Sequence, residues 1–226
     1  RFTQRRFVHM RHPHVAGLET TVTPVDWSGT LQIRSALDGN VENTLVKRYR
    51  PLNNRHLEQA DCGATPDDII WLVAETNQSH IRISEAARTR LQKDGKYIEA
   101  PPQTIREHGY IAQDFTIEVK QGEAVCVEKI AALYHSRDRG ISNGLIEAQG
   151  TVRHAGSFEE LLEEHVLGWN HLWDLWNINI ESENRRTSQV LNLHIFHLLQ
   201  TVSPNTIDLD AGVPPRGLHG EAYRGL

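Results

Sequence analysis

Three residues near the C-terminal end carry the polar groups best suited to holding a neutral polyol. Arg216 and Arg224 are guanidinium donors, and Tyr223 supplies a ring that can stack on a sugar face. They share the glycine- and proline-rich segment DAGVPPRGLHGEAYRG (210–225), and compact domains seldom keep so long a loop without a binding reason. A plainer alternative stays open: the two arginines pair with carboxylates to pin the loop, and the glycines serve only its turns.

Other polar clusters read as structural. In HMRHPH (9–14), Pro13 interrupts the strand that would put His12 and His14 on one face, and no cysteine or carboxylate stands at ligand spacing. His9, His12 and His14 are therefore expected on the surface or hydrogen-bonded, and no metal site is expected. His194 and His197, three apart on an apolar helix, read as satisfied core histidines. Asp38, Gly39 and Asn40, with Asn43 beyond, suit a turn with Asx hydrogen bonds better than a calcium loop.

Two kinds of element must position these groups. From Phe2 to about Ser136 the chain alternates with period two, as in Leu31, Ile33 and Ser35 against Thr30, Gln32 and Arg34, which predicts half-buried antiparallel strands. Turn chemistry at 24–26, 37–40 and 93–96 separates them, and Gln121-Gly122-Glu123 reads as a hairpin turn between two strands. Many short strands with such turns argue for a β-sandwich.

The pattern changes near Gly156. Ser157 and Glu160 form a capping box ahead of Phe158, Leu161, Leu162, Val166, Trp169, Leu172, Trp173 and Trp176, which predicts a helix whose tryptophans are packing surface rather than a sugar platform. A second helix from about 184 to 202 is apolar nearly all round, so it needs neighbours on several sides.

With 226 residues the chain can bury a substantial core. A net charge of −5 shows no basic bias, and Lys and Arg are scattered among acidic residues, which argues against a nucleic-acid or anionic-membrane partner. Only Cys62 and Cys126 are present, so no disulfide framework or zinc site is indicated, and a cytoplasmic setting fits best. No apolar run reaches transmembrane length. The chain starts at Arg1 and its C-terminal loop stops at Leu226 as if unfinished, so a fragment is expected.

Several separated blocks, in order, resemble one family: TVTPVDWSG (21–29), SALDG (35–39) followed by Asn43, RYRPLNNRHL (48–57), the tryptophan-rich helix, HIFHLLQ (194–200) and the 210–225 loop. The chain is similar to glycoside hydrolase family 65, bacterial disaccharide phosphorylases and hydrolases acting on trehalose, kojibiose, maltose and related α-glucosides. One departure is Ser182-Glu183, where the family usually carries a Gly-Asp pair.

The resemblance implies a β-sandwich lacking its N-terminal part over 1–155, a linker helix over 156–182, and the truncated start of a catalytic (α/α)6 barrel over 183–226. It implies inverting phosphorolysis that releases β-glucose 1-phosphate, with a general acid beyond Leu226 and no catalytic residue in this chain. It further implies sugar contact by Arg216, Tyr223 and Arg224, no cofactor besides inorganic phosphate as co-substrate, and a homodimer in the full-length protein. A family trehalose hydrolase and a free-standing carbohydrate-binding module are the alternatives.

Overall fold

The computed structural model describes residues 1–42, 44, 51–178, 180 and 185–202. Among them, strands β1 (Phe2–Val8), β2 (Val15–Val22), β3 (Gly29–Asp38), β4 (Leu57–Ala64), β5 (Ile70–Thr76), β6 (Arg82–Lys93), β7 (Lys96–Ile98), β8 (Gln103–Glu107), β9 (Tyr110–Val119) and β10 (Val125–His135) come first. Helices α1 (Gly144–His154), α2 (Phe158–Trp176) and α3 (Arg185–Thr201) follow. The strands form a seven-stranded sheet, order β1-β2-β10-β6-β5-β4 with β7 also on β6, and a three-stranded sheet, order β3-β9-β8. Every ladder described is antiparallel.

Alternation along the strands supplies two cores. Leu37, Ile70, Leu72, Ala87 and Ile111 pack in one cluster between the sheets, and Leu91, Phe115, Ile117, Val119 and Val125 in another. The opposite face of the large sheet is covered by helices. Ala86, Ala132 and Tyr134 meet Ala148 and Val152 of α1, the small alanines allowing close approach, while Val15 and Ile130 meet Phe158 and Leu161 of α2.

A buried charge pair fixes the joint between these helices. Arg88 of β6 donates from Nη1 to the carbonyls of Arg153 (3.4 Å) and Ala155 (2.8 Å) and from Nη2 to that of Gly156 (2.8 Å), where α1 ends. Glu128 of β10, 3.8 Å from that guanidinium, accepts the Phe158 amide (2.8 Å) where α2 begins. A cation thus sits at helix C-terminal carbonyls and a carboxylate at a helix N-terminus, each the sign the helix dipole favours. Burial lowers the pKa of Arg88 and the nearby Arg90 lowers it further, while Glu128 opposes both. Ser157 and Glu160 complete the start of α2, the Ser157 amide donating to Glu160 Oε2 (2.7 Å) and the Glu160 amide to Ser157 Oγ (3.3 Å).

Two expectations about the elements change. The turn at 121–123 does not close a hairpin, because β9 belongs to the small sheet and β10 to the large one. Alternation records which side of a strand is buried, not which strand lies beside it, and here the turn crosses the sandwich. It is held from outside the two strands: the Gly122 amide donates to the Pro24 carbonyl (2.8 Å) and the Gln121 amide to Ser28 Oγ (2.8 Å). Helix α1, absent from the periodicity reading, is capped by Asn143, whose side chain accepts the Leu145 and Ile146 amides.

The other turns follow their chemistry. Lys93 pairs with Lys96 across a two-residue turn in which Asp94 (φ 46°) and Gly95 (φ 78°) both take positive φ. Asp38 Oδ1 accepts the Asn40 amide (2.9 Å), an Asx turn, and Asn43 lies outside the described residues.

Contacts divide the chain into two compact units, Arg1–Gly168 and Trp169–Leu226. In the second, the Trp169 ring lies 4.9 Å from that of Phe196 and 6.3 Å from that of Trp173. Val190, Leu193, Leu198 and Val202 remain exposed on or beside α3. His194 and His197 are also exposed among the described residues, not core. No described helix is long and apolar enough to cross a membrane.

Candidate functional site

The three residues expected to touch sugar, Arg216, Tyr223 and Arg224, lie outside the described residues. Within them, a group of ionisable side chains gathers where the turn after β1 meets α2. His9 is fully buried, and its ring is 4.6 Å from that of His12 and 6.0 Å from that of His165. Phe7 stacks on His165 at 5.0 Å and tilts against Phe158 at 5.1 Å, so the cluster has an apolar floor. The sequence offered His9, His12 and His14 as surface or hydrogen-bonded histidines and paired none of them. His14 turns away, stacking on Tyr134 at 3.9 Å and donating from Nδ1 to the Leu133 carbonyl (2.8 Å).

Hydrogen-bond direction assigns the tautomers. The amides of Arg11 and His12 both donate to His9 Nδ1, at 3.1 and 3.0 Å, and the Met10 amide donates to His165 Nδ1 at 3.2 Å. Each of these Nδ1 atoms must carry a lone pair, so the ring proton sits on Nε2. Burial lowers the pKa of His9, with the neighbouring His12 adding to the effect and Glu164 opposing it; burial lowers that of His165 as well.

His9, His12 and Glu164 can bring three ligand atoms within 4.8 Å of one another. A metal on His9 Nε2 would require the proton to move to Nδ1, facing two amide hydrogens. The described bonding therefore suits a proton on Nε2, which lies 3.8 Å from the Glu164 carboxylate, beyond hydrogen-bond distance, with His12 Nε2 3.2 Å from the same oxygen.

A second feature is a cavity of about 360 Å³ beside β6. The β5 ladder ends at Ala87 and the β7 ladder starts at Leu91, which leaves one edge of β6 unpaired between them. Thr89, Arg90, Tyr97, Ala100 and Phe115 line the cavity. Its polar groups are already engaged: Arg90 lies over the Tyr97 ring at 5.6 Å, Tyr97 Oη donates to Glu128 (3.3 Å), and Thr89 bonds Ser35 (2.8 Å). Burial raises the pKa of Glu85 and lowers that of Lys129, each acting as the other's counter-charge, and Lys129 Nζ donates to the Ala36 carbonyl (2.6 Å). These are means of holding a scaffold together. None places an acid and a nucleophile about a common point.

The class defined by these elements is a two-sheet antiparallel sandwich with helices packed on one face. Residues 1–172 match the N-terminal domain of glycosyl hydrolase family 65, and the chain belongs to that family. It is 41% identical, over 99% of its length, to an uncharacterized glycosyl hydrolase of Mycobacterium tuberculosis, and 26% identical, over 97%, to the kojibiose phosphorylase of Thermoanaerobacter brockii. It spans 17% and 28% of the length of those two relatives. Among solved structures, a putative kojibiose phosphorylase from human microbiome superposes with a TM-score of 0.77 at 15% identity, over 99% of this chain and 28% of that one; this likeness shows the fold.

Proposed function

We propose that the chain is the scaffold portion of an inverting α-glucoside phosphorylase. A phosphate oxygen attacks the anomeric carbon of a disaccharide from the face opposite the glycosidic oxygen. The C–O bond to that oxygen breaks as a carboxylic acid protonates it, yielding β-glucose 1-phosphate and a free sugar. Phosphate is already anionic, so the reaction needs one acid and a set of cationic and hydroxyl donors rather than a second carboxylate to activate water.

The observation that carries this reading is the set of relatives matched along nearly the whole chain, named kojibiose, trehalose and nigerose phosphorylases. In this reading the sandwich spans 1–155, the linker helix 156–182 and the start of a helical catalytic barrel 183–226, with the acid outside these 226 residues. Arg216, Tyr223 and Arg224 touch the sugar, inorganic phosphate is the co-substrate with no other cofactor, and the full-length protein is a cytoplasmic homodimer. The chain alone turns nothing over.

The test incubates the full-length protein with kojibiose, trehalose, nigerose and maltose, with and without phosphate. Sugar consumption that depends on phosphate supports the proposal and identifies the substrate. Glucose release independent of phosphate favours hydrolysis, the reading suggested by the name of the 41%-identical relative.

A further inference from the structure

We infer that the histidine cluster of the first unit is an acid-released clasp, in which neutral His9 and His165 hold the turn after β1 against α2 and protonation lets it go. Three consecutive backbone amides, those of Met10, Arg11 and His12, have imidazole nitrogens as acceptors. Protonating His9 places a new N–H at Nδ1 facing two amide donors at 3.0 and 3.1 Å, and protonating His165 does the same to a third at 3.2 Å. An acceptor becomes a donor in each case, so attraction turns to repulsion and the amides are left without an acceptor.

The surroundings favour the neutral rings. His9 is fully buried, and His165 is half-buried against Phe7. Facing His9 are His12 from the turn and Glu164 and His165 from α2; nearby Arg5 of β1 is occupied by Glu19 and Glu159. Glu164 and the Leu161 carbonyl favour charge on His9, and the His12 ring, 3.2 Å from Glu164, adds a tie against release. Both His12 and Glu164 are more than half exposed, so that tie is weak beside the loss of three amide bonds.

The sign follows from the lowered pKa values. The open turn binds protons that the closed turn refuses, so closure is complete above the ordinary histidine value and weakens as pH falls through it. Neither core cluster between the sheets includes these residues, so release is local.

The experiment is hydrogen–deuterium exchange on the full-length protein at about pH 7.5 and about pH 5.5, bracketing histidine titration, with rates corrected for intrinsic pH dependence. The expected result is a loss of protection of about tenfold or more at residues 10–12 and the facing turn of α2, with β6 and β10 unchanged. A His9→Asn/His165→Asn variant keeps acceptors that do not titrate, and its protection should be equal at the two pH values. Unchanged protection in the wild type, loss spread across the sandwich, or equal pH dependence in a folded variant would overturn the clasp. Should the variant not fold, the wild-type comparison decides alone.

Discussion

At Glu128 a single carboxylate serves three neighbours, the Arg88 guanidinium, the Tyr97 hydroxyl and the first amide of α2, from a position almost wholly removed from water. Replacing it by glutamine leaves a buried cation without its counter-charge. Glu128→Gln is therefore expected to destabilise the first unit by about 3 kcal/mol. Removing both charges with Arg88→Leu/Glu128→Leu should be less damaging than the single change, because no uncompensated charge is then buried. Urea unfolding of the two variants measures both, and a double variant weaker than the single one would contradict this account. Gly17 offers a steric counterpart. A Cβ there would stand 2.8 Å from the Phe7 ring and 3.1 Å from the Phe158 ring, under the apolar floor of the histidine cluster. Gly17→Ala should lower stability by about 1–3 kcal/mol, read in the same unfolding experiment.

At the scale of elements, α2 depends on its first turn. Ser157→Ala removes the acceptor of the Glu160 amide and should destabilise the helix by about 1 kcal/mol, seen as a lower thermal midpoint; no change would mean the Glu128 contact alone sets the helix start. The capping box, both long helices and the alternation of β3 and β9 were legible in the sequence because each is written in neighbours a few residues apart. Strand partnership was not. The two sides of the 120–124 turn look like a hairpin by local pattern, and only contacts with β3 and β6, far away in sequence, send them to different sheets. Helix α1 escaped because Gly144, Gly150, Thr151 and Val152 are weak helix formers, and packing under Ala86 and Ala132 decides its shape. The histidine cluster was half legible. His9 and His12 stand together in sequence, whereas Glu164 and His165 reach them from α2, more than 150 residues on.

For the whole molecule, several large apolar side chains stay exposed among the described residues. Leu175 and Trp176 on α2, with Leu193 and Leu198 on α3, are each more than half exposed. The isolated chain should self-associate and bind a hydrophobic dye, and Leu193→Gln/Leu198→Gln should reduce both, as read by light scattering and fluorescence. A clean monomer with low dye binding would instead favour a self-sufficient module. The chain spans little more than a quarter of the length of its phosphorylase relatives, so the proposed activity is to be tested on a full-length protein. The most direct test is the anomeric configuration of the product, followed by proton and phosphorus NMR as that protein consumes its disaccharide in phosphate buffer. Inverting phosphorolysis predicts β-glucose 1-phosphate as the first species formed. Free glucose or α-glucose 1-phosphate in its place would contradict it.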